Sequence, residues 1–130
     1  DNAENQDNNI SKIPKTYTLL QTIPNIERVF TTSISPNKSL KQCNGSATIS
    51  NNSIRCIIPI KIPASKKSGI WTDGEIRLFE VGKCILYDHS RENSIFNKHK
   101  RYSTELLIID LQRPSYLPIG ISQRKEAELL

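Results

Sequence analysis

From Arg28 to Leu111 the chain is cut into short runs of β-branched and aromatic residues, each closed by turn-forming residues. The runs are Val29-Phe30-Thr31-Thr32-Ser33-Ile34, Ala47-Thr48-Ile49, Ile54–Ile60, Gly74–Phe79, Lys83–Tyr87 and Glu105–Leu111. Between them stand Ser35-Pro36-Asn37, Asn44-Gly45, Asn51-Asn52, Asp73-Gly74, Val81-Gly82 and, at the end, Arg113-Pro114. Runs this short do not allow long helices. Their spacing predicts a mainly β fold, a two-sheet sandwich or jelly roll. Ile76/Leu78 and Cys84/Leu86 recur with the period of two expected of strands. Leu106–Ile109 is apolar at every position, as in a central strand with both faces covered.

The flanks differ. Asp1–Ser11 is rich in asparagine and glutamine and holds one large apolar residue, Ile10. It is expected to be a disordered lead-in. Pro14–Ile23 places apolar residues at 19, 20 and 23 behind an early proline, which predicts a short amphipathic helix stopped by Pro24. Residues 12–118 then form one domain, and 119–130 a charged tail. A chain of 130 residues supports a single core. The longest apolar runs, Leu106–Ile109 and Cys56–Ile60, fall far short of the roughly 20 residues of a membrane span. The chain lacks methionine, even at its start, and so reads as a mature, processed or excised chain of unassigned compartment.

Chemistry-bearing motifs are scarce. No glycine-rich phosphate loop, GxSxG elbow or HExxH motif occurs. Cys43, Cys56 and Cys84 fit neither a CxxC zinc site nor a full disulfide framework; one disulfide with one free thiol is compatible with them. The net charge is +5. Arg91, Lys98, His99, Lys100 and Arg101 read as a basic loop before the last strand, with Lys61, Lys66 and Lys67 as a second group. Such charge suits an anionic partner but by itself specifies little beyond solubility. Trp71, in the Gly69–Gly74 turn, reads as a packing residue, with a substrate-facing role as the alternative.

Taken in order, these segments resemble one family, the aspartyl/asparaginyl β-hydroxylases, which are iron(II)- and 2-oxoglutarate-dependent dioxygenases. Ile13-Pro14-Lys15-Thr16, Leu19-Leu20 and Ile23-Pro24 look like the family's opening helix and "IPG" turn. Ser33–Lys38 resembles the strand and "PGT" turn before the first metal ligand. Ile54–Ile60 resembles "LRxHLxL", Phe79–Asp88 resembles "WxxGKxxxFDD", and Leu106–Pro114 resembles "LLIDxxRP". The resemblance spans about residues 13 to 118. It implies a double-stranded β-helix (a cupin-like jelly roll) with a site at its mouth, where two histidines hold Fe(II) and an arginine helps to bind 2-oxoglutarate.

At the positions the resemblance marks, the chemistry has changed. The first metal histidine falls on Cys43 and the second on Asn93. The histidine of "LRxHLxL" falls on Ile57, and the co-substrate arginine on Thr104. Arg55, Asn97, Asp88 and Asp110 are retained. Neutral asparagine is a weak ligand and thiolate prefers softer metals, so Cys43 with Asn93 makes a poor ferrous site. His89, four residues from Asn93, is a candidate substitute ligand. Arg101, three residues from Thr104, is a candidate partner for the oxo-acid, and His99 lies nearby. The leading expectation is therefore a degenerate family member: a pseudoenzyme that binds a peptide, protein or anionic small molecule at the jelly-roll mouth without metal. The alternatives are an active Fe(II)/2-oxoglutarate dioxygenase with substituted ligands acting on a peptide or lipid, and a basic nuclease or toxin domain using His89 or His99 as a general base.

Overall fold

The computed structural model describes residues 14–42, 53–63 and 66–117. Helix α1 (Pro14–Leu20) is followed by eight strands: β1 (Ile26–Ile34), β2 (Lys38–Gln42), β3 (Ser53–Lys61), β4 (Ser68–Thr72), β5 (Glu75–Leu78), β6 (Ile85–Tyr87), β7 (Asn93–Asn97) and β8 (Thr104–Gln112). The helix ends three residues earlier than its pattern predicts. Thr22 and Ile23 donate to the carbonyls of Leu19 and Leu20, closing tight turns in place of further helix. The run at 47–49, the lead-in 1–11, the tail 119–130 and Cys43 lie outside the described residues.

The strands form two four-stranded sheets in the orders β1-β8-β3-β6 and β2-β7-β4-β5. All pairings are antiparallel. Apart from the β4–β5 hairpin, consecutive strands alternate between the sheets, so the chain winds as a jelly roll. β8 is flanked on both sides, as its uninterrupted apolar run requires. The sheets enclose Ile34, Ile57, Ile70, Phe79, Tyr87, Ile95, Leu106 and Ile108, with Phe30, Ile62 and Ile85 packed against them. Pro59 has no N–H for the ladder, and the β3–β8 register shifts just after it, between Pro59 and Lys61. Gly69 lies against the backbone of Arg77 and Leu78 and against the Phe96 ring, leaving no room for a Cβ.

Three strands depart from the sequence expectation. β2 occupies a segment to which the sequence assigns no element, and β4 one that reads as a turn, so Trp71 belongs to a strand. It pairs with Ile76 and Ser94 on the face opposite the buried Ile70. β7 runs through the presumed basic loop. Arg91 precedes it and Lys98–Arg101 follow it, so the two groups sit at opposite ends of a five-residue strand, about 13 Å apart. The alternating Ile76, Leu78 and Leu86 point outward and are exposed rather than core residues.

Candidate functional site

One cross-strand row of the first sheet carries most of its buried charge. Arg28 on β1 faces Asp110 on β8, which faces Arg55 on β3, which faces Tyr87 on β6. The row begins with the β1 bulge at Ile26/Arg28. Alternation places these four side chains on the same face as the core residues Phe30, Ile57 and Ile108. Arg55 Nε donates to Asp110 Oδ1 at 2.7 Å and a terminal guanidinium nitrogen donates to Oδ2 at 3.0 Å. Both partners are buried. Arg28, largely exposed, reaches the same carboxylate at 3.3 Å. Both guanidinium groups lie over the Phe30 ring, at 4.5 and 5.3 Å from its centre.

Burial alone would push the Asp110 carboxyl up. The Arg55 hydrogen bonds and charge, helped by His89 and Arg28, outweigh it and hold the group below the ordinary carboxylate range. Burial pushes the Tyr87 phenol up to about 12, against the opposing charge of Arg55.

The loop after β6 brings further polar residues near this row. Ser90 donates to Asp88 Oδ1 through both its backbone N–H, at 3.0 Å, and its hydroxyl, at 2.6 Å. Arg113 closes on Asp88 Oδ2 at 2.8 Å. Asp88 is held below its ordinary range: burial works against this, but the Ser90 and Arg113 bonds prevail. Asn93, at the start of β7, is buried. Its Nδ2 donates to the carbonyls of Arg91, at 2.9 Å, and His89, at 3.4 Å. Asn93 Oδ1 and His89 Nδ1 are buried with no hydrogen-bond partner among the described residues. His89 is half-buried, and desolvation, then the charge of Arg55, lower its pKa.

The other marked positions lie elsewhere. Asn97 ends β7 and binds the carbonyls of Ile34 at 3.0 Å and Tyr102 at 2.8 Å, while its Oδ1 accepts from the His99 N–H at 3.0 Å. It therefore clamps the 98–103 loop. His99 Nδ1 accepts from the backbone N–H groups of Arg101 and Tyr102, both at 3.1 Å, and its ring packs against Tyr102. The structure thus separates His99 and Arg101 from Asn93 by the length of β7 and gives His99 a loop-capping role that its sequence position did not signal. Thr104 pairs with Ile34 and is fully buried. Ile57 pairs with Ile108 and Ile85 and is fully buried in the apolar core. Of the two expected ligand positions only Asn93 is described. Gln42, immediately before Cys43, is its cross-strand partner. No group of three or more His, Cys, Asp or Glu side chains is poised for a metal among the described residues.

These groups set the acid response. A neutral, half-buried His89 resists a proton that the unfolded chain accepts near pH 6.5. Stability is expected to fall as pH drops below that value. A second fall is expected below about pH 4, where the unfolded Asp88 and Asp110 take up protons that the folded state resists. Urea melts across pH 3–8 check this. His89→Gln should remove the first phase and leave the second.

No helix among the described residues is long and apolar enough to cross a membrane. Among solved structures, the chain is similar to the Cupin 2 domain of an XRE family transcriptional regulator from Enterobacter cloacae. The two share 12% identity and a TM-score of 0.54, over 66% of this chain and 81% of that one. It is also similar to a predicted oxalate decarboxylase from Thermotoga maritima, at 11% identity and a TM-score of 0.51, over 68% of each chain. At such identity the likeness speaks for the cupin-type jelly roll alone. No curated protein matches. A family model does: that of the aspartyl/asparaginyl beta-hydroxylases, over residues 1–114. With the strand order of a jelly roll and a match over most of its length, the chain belongs to the aspartyl/asparaginyl beta-hydroxylase family.

Proposed function

We propose that this domain is a binding module of the hydroxylase family that no longer performs iron-dependent hydroxylation. The observation that carries this reading is the packing at Ile57. The position that resembles the polar, pocket-lining histidine of the "LRxHLxL" strand is a fully buried isoleucine between Ile108 and Ile85. Thr104, in place of the arginine, is equally sealed. An oxo-acid carboxylate placed there would lose its hydration without a cationic partner, which is prohibitively unfavourable. Asn93 contributes a neutral amide whose nitrogen is already committed to two carbonyls. The described residues do not fit Fe(II) with 2-oxoglutarate.

The mouth retains polarity suited to a ligand. Two arginines share the single Asp110 carboxylate, and the outer one, Arg28, is open to solvent. That excess positive charge favours an anionic small molecule or an acidic peptide over a neutral one. A working dioxygenase is the second reading, favoured by the buried, partnerless His89 Nδ1 as a substitute donor. A nuclease reading finds no comparable support, since His99 is engaged by backbone and the basic residues divide between the two ends of β7.

Anaerobic calorimetric titration with Fe(II) and 2-oxoglutarate separates the first two. The expected result is no co-dependent binding. Micromolar binding of each that requires the other, lost in His89→Ala, would overturn the proposal in favour of the second reading.

A further inference from the structure

The outward face of the first sheet brings two thiols together. Arg55 and Ile57 point into the sandwich, so Cys56 points out. It pairs with Ile109 on one side and Leu86 on the other. Cys84 lies two residues before Leu86, on the same face by alternation, and is therefore the diagonal cross-strand neighbour of Cys56. Burial, and after it the neighbouring Cys84 thiol, push the Cys56 thiol up to about 11. Both are reduced. Cys56 is buried and Cys84 exposed. Cys84 precedes β6, whose ladder with β3 begins at Ile85↔Ile57, and follows the Val81-Gly82 turn, where Gly82 adopts a φ of 81°. Its backbone is thus outside the ladder and able to adjust to disulfide geometry.

We propose that Cys56 and Cys84 are a dithiol site that a low-molecular-weight disulfide closes into a β3–β6 cross-link. The exposed Cys84 thiolate attacks one sulfur of the small disulfide, forming a mixed disulfide and releasing one small thiolate. The Cys56 thiolate then attacks the Cys84 sulfur, forming the Cys56–Cys84 bond and releasing the second small thiolate. The two protein protons pass through solvent to the two released thiolates. The protein is oxidised by two electrons and the small disulfide is reduced by two. The consequence is mechanical. β6 is a three-residue edge strand that carries Tyr87 and leads into Asp88 and His89. The cross-link fixes that edge against β3.

The test treats the full chain with oxidised glutathione and maps it with trypsin under non-reducing conditions. Cleavage at Arg55, Lys61, Lys83 and Arg91 isolates Cys56 in peptide 56–61 and Cys84 in peptide 84–91, while Cys43 falls in peptide 42–55. The expected product links 56–61 to 84–91, consumes two thiols and raises the Tm by several degrees. Cys43→Ser should leave all three results intact. Cys84→Ser, at an exposed position that leaves the core unaltered, should abolish them. A bridge containing peptide 42–55, or separate glutathione adducts without a bridge, would overturn the proposal. The iron titration does not depend on this chemistry, so the two proposals fail independently.

Discussion

Asp110→Ala is expected to reduce the free energy of unfolding by about 3–5 kcal/mol, the usual cost of removing one partner from a buried ion pair. The carboxylate is the shared acceptor for Arg55, at 2.7 and 3.0 Å, and Arg28, at 3.3 Å. Its loss leaves the Arg55 guanidinium buried beside Phe30 without its carboxylate, and water does not readily replace what is removed. In a domain near 100 residues each kcal/mol corresponds to about 4–8 °C, so the Tm should fall by more than roughly 12 °C. Thermal and urea melts followed by circular dichroism measure this. The comparison that isolates the mechanism is the double variant Arg55→Met/Asp110→Leu. Removing both charges together should restore much of the loss, because a buried ion pair is worth little over apolar residues of similar volume. A loss below about 1 kcal/mol for Asp110→Ala, the size typical of an exposed pair, would contradict this account. Arg55 and Asp110 are also two of the four polar residues retained from the family motifs, with Asp88 and Asn97. Their geometry assigns them to holding β3 against β8, with Arg113 and Asp88 doing the same between the end of β8 and the loop after β6.

How much of this was legible in the sequence divides between the two sheets. In the first sheet, β1, β3 and β8 bury Phe30, Ile34, Ile57, Leu106 and Ile108, so apolar runs announced them. The inward positions of β7 are Asn93, Ile95 and Asn97, and β4 begins with Ser68-Gly69. Polar side chains stand where the pattern demands apolar ones, because Asn97 is spent on backbone carbonyls and Asn93 on the mouth loop. Asparagine and glycine are also weak strand formers, so both local signals pointed to loops. β2, Lys38–Gln42, is an edge strand with little core to announce it. The site suffered from the same error. Placing Arg91 and Lys98–Arg101 in one loop joined His89, His99 and Arg101 into a single neighbourhood, whereas a strand divides them. The family motifs nevertheless carried the fold, since their order along the chain reports topology even where individual strands are polar.

The sharpest test of the altered site is to put back the residue type that the family resemblance calls for. Ile57→His is expected to destabilise the domain by about 3 kcal/mol and to confer no affinity for 2-oxoglutarate. Ile57 is fully buried among Ile85, Ile108 and the rest of the apolar cluster. The imidazole differs in shape from the β-branched side chain, and repacking a tight core costs about 1–3 kcal/mol. Its ring nitrogens would meet apolar neighbours, adding about 1–3 kcal/mol for unpaired buried polar atoms. Ile57→Val serves as the control for volume alone and should cost only about 0.5–1.5 kcal/mol. Urea melts of the three proteins give the ordering, and calorimetry with 2-oxoglutarate gives the functional readout. If the histidine variant were as stable as the parent and bound the oxo-acid, the core at Ile57 would be a latent pocket able to accept a polar group. The proposed loss of iron-dependent hydroxylation would then rest on single side chains. If it is destabilised as expected, packing rather than a pocket occupies this position, in keeping with the proposed loss of iron-dependent hydroxylation.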